Sequence, residues 1–191
     1  MKTKKRIVTS LASLLVVGPM AGSAGAAVII NIVDDGTDTT ITASGTLNVT
    51  DLTLNTTGGA GGINPSAGFL ELTNNAFEVY QGITGPADFG TGGFQFLSSA
   101  TGDRVGIRLG FGNALTVPEN YVSGALLSAE GSITGQGLTE IGITPGTSTW
   151  TWGSGANADS LTINASVIPE PSSFLLGSLG LFALIAKRRR F

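Results

Sequence analysis

Ala27-Val28-Ile29-Ile30-Asn31-Ile32-Val33, then Asp34-Asp35-Gly36-Thr37-Asp38, then Thr39-Thr40-Ile41-Thr42-Ala43-Ser44 is the stretch that decides the fold. β-branched residues on both sides of an Asp- and Gly-rich turn predict two strands. The same grammar continues downstream. In Thr46–Val49, Leu47 and Val49 share one parity, while Leu52 and Leu54 take the other, so a bulge or bend is expected near Asp51. Phe69–Leu72 and Ala76–Tyr80 flank Asn74-Asn75, a hairpin turn. Phe94–Leu97 and Val105–Leu109 flank Thr101-Gly102-Asp103. Tyr121–Ile133, Leu138–Ile143, Thr147–Trp152 and Ser160–Val167 complete the set, with a turn at Pro145-Gly146. Short strands at this spacing, with no amphipathic helix between them, predict an all-β fold. The expected architecture is an antiparallel β-sandwich, jelly-roll-like, over residues 27–167. A β-helix is the alternative, and the lack of a fixed repeat of about 20–30 residues ranks it lower.

Composition removes whole classes of chemistry. The 191 residues include no Cys and no His. Disulfide frameworks, thiolate nucleophiles, Cys–His dyads, serine triads and zinc fingers fall away together. Eight of the ten basic residues sit at the two ends: Lys2, Lys4, Lys5, Arg6 and Lys187, Arg188, Arg189, Arg190. Between Ala27 and Ile168 only Arg104 and Arg108 face twelve carboxylates, a charge of −10. Such a body lacks the basic footprint of a nucleic-acid binder. No cofactor is expected.

Residues 1–26 have the three parts of a secretory signal peptide in order. Lys2–Arg6 is a positive n-region, Ile7–Val17 is apolar, and Ala24-Gly25-Ala26 offers small residues at −3 and −1 of a cleavage site. The mature chain is expected to begin at Ala27. There is no twin-arginine pair, so the general secretory (Sec) route is expected.

The C-terminal segment, residues 168–190, has its own logic. Pro169-Glu170-Pro171 can neither continue a strand nor sit inside a helix, which makes an extended, accessible linker. Ser172 or Ser173 can cap the apolar helix that follows. Residues 172–186 would span about 22 Å as a helix, short against a hydrocarbon core of about 30 Å. Lys187, Arg188, Arg189 and Arg190 then form a stop-transfer cluster that stays in the cytoplasm. A single C-terminal transmembrane helix is expected, matched at the other end by the signal helix.

A Pro-Glu-Pro tripeptide, a short Gly- and Leu-rich span and a terminal Arg-rich cluster resemble the PEP-CTERM protein-sorting signal. The same segment is also called the ice-binding protein C-terminal domain. Such tails occur on exported proteins of Gram-negative bacteria that make exopolysaccharide. The resemblance implies that an exosortase reads the tail at the inner membrane and removes it, so that anchoring is transient. The cell surface or extracellular matrix is then the destination, and exopolysaccharide a possible neighbour. The signal is an address and carries no chemistry of its own.

Within the body, three constellations merit weighing. Asp34, Asp35 and Asp38 gather carboxylates around one turn, a weak calcium candidate whose spacing is not that of an EF-hand; a solvated turn explains them as well. Glu71, Glu78, Glu119, Glu130 and Glu140 could supply the acid pair of a glycosidase, with Glu71 and Glu78 brought together by a hairpin through Asn74-Asn75, but no motif supports it. Trp150 and Trp152 lie two apart and share a strand face, so with Tyr80 they could stack on sugar rings. Thr149 and Thr151 alternate with them, and that pattern favours a core role for the indoles. The expectation is a non-enzymatic, exported surface or matrix protein of adhesive or structural role. A carbohydrate-binding module built on Trp150, Trp152 and Tyr80 is the alternative, and a glycosidase a distant third.

Overall fold

Alternate residues of Ala27–Asp34 (β1) are buried, with Val28, Ile30 and Ile32 wholly inside and Ile29 and Asn31 outward. This period of two is what a strand with one covered face requires. Thr39–Thr46 (β2) repeats it through Thr39, Ile41 and Ala43. The computed structural model describes residues 27–55 and 59–168. The signal peptide, the Pro169-Glu170-Pro171 motif, the expected span and the basic tail lie outside the described residues.

The other strands are Thr53–Leu54 (β3), Gly62–Asn64 (β4), Phe69–Leu72 (β5), Phe77–Gln81 (β6), Ser99–Gly102 (β7), Val105–Arg108 (β8), Ala114–Pro118 (β9), Leu126–Ile133 (β10), Gly146–Trp152 (β11) and Asp159–Val167 (β12). One four-residue helix, Leu138–Ile141 (α1), lies between β10 and β11. The first sheet has the order β11-β12-β1-β2-β10-β7, and the second β3-β6-β9-β8-β5-β4. Buried residues of both form one continuous core, Ile30, Ile41 and Leu161 from the first and Leu70, Ile107 and Leu115 from the second. The all-β expectation thus holds, in two sheets that share a single core.

Several local expectations are corrected. β5 and β6 do not form a hairpin through Asn74-Asn75. β5 pairs with β4 and β8, and β6 with β3 and β9. Thr73, at φ 64°, turns the chain out of β5. Phe94–Leu97 is not a strand: its one ladder contact is a bridge between Ile63 and Gln95. Its supposed partner β8 lies in the second sheet, while β7 lies in the first, so the chain changes sheets around Gly102-Asp103. Thr46–Val49 leaves the ladder after Thr46, although Leu47 and Val49 remain buried. Leu138–Ile143 folds as α1 rather than as a strand. Leu138 and Ile141, three apart, are both fully buried, and Gly142 closes the turn at φ 76°. β4 and β9 were not foreseen. Nor is the fold wholly antiparallel: β1 and β12 run parallel from Ala27↔Ser160 to Asp34↔Val167.

Candidate functional site

The Asp34–Asp38 turn is built from carboxylates that accept backbone amides. Asp34 accepts the N–H of Gly36 at 2.8 Å and of Leu138 at 2.8 Å. Asp35 accepts Thr37 and Asp38, and Asp38 accepts Gly135. Each acid is committed to a different stretch of chain. No group of three acidic side chains suited to a metal occurs among the described residues. In this arrangement the turn's carboxylates are occupied by backbone amides, and Asp34 docks α1 onto β1.

The indoles are core. Trp150 is 0% exposed and Trp152 5%, and each ring N–H donates to a backbone carbonyl: Trp150 to Pro86 at 2.9 Å, Trp152 to Asn48 at 2.7 Å. Thr149 and Thr151 take the solvent side, as the alternation implied. Tyr80 packs against the core, and its hydroxyl donates to Glu78 at 3.1 Å. Burial, aided by that carboxylate, pushes its pKa up. A stacking platform of Trp150, Trp152 and Tyr80 is overturned, because neither indole offers a face to solvent.

The acids do not pair either. Residues directly opposite in a ladder share a face. Glu71 faces Gly106, which faces Thr116, which faces Val79; Glu78 is one residue out of step and points to the other side of the sheet. Glu71 is fully buried and fully engaged. Arg104 Nη2 donates to its Oε2 at 2.6 Å, Arg108 Nη2 to the same oxygen at 2.8 Å, and Thr116 Oγ1 to Oε1 at 2.5 Å; Arg108 Nε also donates to Oε1. Arg104 further donates to the carbonyls of Gly59 and Asn75 and lies 3.7 Å from the centre of the Phe77 ring. Both arginines of the body thus converge on one carboxylate in a water-excluded cluster of formal charge +1. A carboxylate so held cannot serve as an acid catalyst, and it braces the outer face of the second sheet. Glu119, Glu130 and Glu140 are exposed on three separate parts of the chain.

A pair of exposed aromatic rings flanked by two cavities was missed at the level of sequence. Gln95 exchanges both backbone hydrogen bonds with Ile63, at 2.8 and 2.9 Å. That bridge fixes Phe94 and Phe96 on either side of it. Their rings meet edge to face, 5.0 Å between centres and 89° between planes, and are 48% and 68% exposed. On one side of Phe96 is a cavity of about 590 Å³ lined by Asn74, Asn75, Ser98, Ser99 and Thr101. On the other is an apolar cavity of about 350 Å³ between Phe69, Phe94 and Phe111. The available signal was Phe94-Gln95-Phe96, the chain's one Phe-x-Phe, set between Gly93 and Leu97-Ser98-Ser99. Reading it as a paired strand hid it.

A family model described as the PEP-CTERM protein-sorting motif matches residues 167–190. The chain thus carries the tail that marks an exported protein for exosortase and for membrane-associated processing toward the cell surface. The match covers the tail and leaves the two-sheet body unassigned. No curated protein and no solved structure matches the chain. Among the described residues no helix is long and apolar enough to cross a membrane.

Proposed function

We propose that this is an exported, non-enzymatic surface or matrix protein with an adhesive role at exopolysaccharide. In this reading the Sec route delivers it, cleavage after Ala26 gives a mature N-terminus at Ala27, and residues 172–186 hold it briefly in the inner membrane. Lys187, Arg188, Arg189 and Arg190 keep the tail inside, and an exosortase reads Pro169, Glu170 and Pro171 and releases the body. The observation that carries the reading is the sorting-motif match at 167–190. The geometry of the body fits it. β12 ends at Val167, immediately before the sorting motif's Pro169-Glu170-Pro171. Only Ile168 separates β12 from Pro169, and its N–H donates to the Asp34 carbonyl at 2.8 Å. The −10 charge keeps the body soluble and away from anionic polymers.

The test is a pair of tail variants, compared with the wild type in a host that has the exosortase. Replacing Pro169-Glu170-Pro171 by three alanines removes the charge and lets a helix extend upstream. The variant should stay in the inner-membrane fraction at uncut mass, while the wild type reaches the surface shortened at both ends. Deleting Lys187–Arg190 should also impair membrane retention. N-terminal sequencing of the mature wild type should return Ala27. A triple-alanine variant that reaches the surface at the wild-type rate and mass sinks the sorting role of the motif.

A further inference from the structure

The geometry points to a binding site for a neutral saccharide in the polar cavity beside Phe96, with that ring as its stacking wall. The cavity is about 590 Å³, within the range of about 300–1,000 Å³ usual for small-ligand sites. No charged side chain lines it, although the body around it carries twelve carboxylates. An anionic ligand would find no counter-ion there and a repulsive field outside, and a cationic one would find no carboxylate in the walls to hold it. What the walls do offer is amide and hydroxyl chemistry. Asn74 spends its side-chain oxygen on the Gly61 N–H, which leaves its NH₂ to donate. Asn75 spends its NH₂ on the Gly102 carbonyl, which leaves its oxygen to accept. Ser98 and Thr101 add exposed hydroxyls at the rim. A sugar ring has the complementary pattern, with a face of C–H groups for an aromatic ring and a rim of hydroxyls for amides. Phe96 supplies the aromatic wall, held in place by the Gln95–Ile63 bridge and the edge contact with Phe94. The two asparagines are set by hydrogen bonds to backbone, so both halves of the site are organised before a ligand arrives.

This inference rests on the adhesive reading for where the sugar is met, but its test does not pass through the tail. The full-length chain is purified in a polyoxyethylene detergent, which carries no sugar. It is run on native gels cast with dextran, galactomannan or hydroxyethylcellulose, and on gels cast with alginate as an anionic polymer. At least one neutral polymer should slow the wild type, and alginate should not. Phe96→Ala should weaken that retardation by roughly tenfold in polymer concentration, and Asn75→Ala should weaken it less. Leu126→Ala, which removes an equally exposed apolar side chain elsewhere, should leave it unchanged. Unfolding midpoints of the three variants check that the fold is intact. Wild-type mobility on every neutral gel overturns the site, as does retardation by alginate alone or full retardation with both Phe96→Ala and Asn75→Ala. Loss in Leu126→Ala equal to that in Phe96→Ala means nonspecific apolar adhesion and overturns it too. A chain that is processed normally yet ignores all three polymers loses the saccharide site and keeps the sorting reading.

Discussion

Glu71 shows how much a single side chain decides. Its one carboxylate neutralises half of a buried two-arginine charge, and Thr116 completes its hydrogen bonds. Removing the negative partner leaves two desolvated cations on the outer face of the second sheet. Glu71→Gln should therefore cost about 3–5 kcal/mol in urea unfolding. Glu78→Gln, half-exposed and bonded to one tyrosine, should cost under about 1 kcal/mol. Two other acids are shifted in opposite directions. The Asp38 and Thr37 amides hold the exposed Asp35 below its ordinary 3.8. Its stabilisation is present above that value and is lost as pH falls through the folded pKa. Burial raises the Asp159 carboxyl above 3.8, against the pull of the Asn48 and Ser160 amides. Folding there holds the proton more tightly, so stability is lost as pH rises through the shifted pKa. Urea unfolding between pH 3 and 7 should show the gap between wild type and Asp35→Asn opening with pH. The gap to Asp159→Asn should close. If both gaps move the same way, one of these assignments is wrong.

At the scale of elements, α1 is the clearest case of a segment set by its neighbours. Leu138-Thr139-Glu140-Ile141 has too few residues to form a stable helix alone. It forms because Asp34 accepts the Leu138 N–H from across the fold, Leu138 and Ile141 enter the core, and Gly142 ends the turn. Asp34→Ala should cost about 1–2 kcal/mol, the usual toll for a lost cap. Gly142→Ala should cost about 1–3 kcal/mol, since a Cβ there would sit at φ 76° and 2.5 Å from the Gly92 backbone. A midpoint unchanged by either substitution in a denaturant titration refutes the account. Edge strand β11 is also secured from outside itself. Thr84 and Thr151 exchange backbone hydrogen bonds at 2.9 and 2.8 Å, which covers part of the open edge and seats Trp150 and Trp152 in the core.

At the scale of the molecule, the parallel β1–β12 pair sets where the chain enters and leaves the described body. The chain enters the fold at Ala27 opposite Ser160 and leaves at Val167 opposite Asp34. Entry and exit are thus at opposite ends of an eight-residue ladder, about 23 Å apart over seven steps of about 3.3 Å. The Asp34–Asp38 turn sits at the end that adjoins the tail, and the first strand pairs with the last, so the sheet closes only when the whole body has been made. The single core also makes the two sheets one cooperative unit. Trp fluorescence reports β11 in the first sheet, whereas far-ultraviolet circular dichroism reports both. The two probes should give coincident urea midpoints for the full-length chain. Separate midpoints would show that the sheets unfold independently.

The sequence by itself determined the class of fold, most strand positions and the tail. Alternation in β1, β2, β11 and β12 is a local signal, because each strand covers one face and exposes the other. The sorting motif is legible for the same reason, since the whole address lies in one contiguous segment. The alternation of Thr149 and Thr151 with the two indoles likewise favours inward rings from the sequence alone. Pairing was not legible. Nothing local says that β5 meets β8 rather than β6, or that the first and last strands run parallel, because those choices depend on how two sheets share one core. β5 and β8 are also buried on both faces, which erases the period of two. The Glu71 cluster joins residues 33 and 37 positions apart, and the Phe96 cavity joins segments from residues 61, 73–75 and 96–102. Only the tertiary structure decided these, because proximity across a core is a property of the packed chain and not of any segment of it.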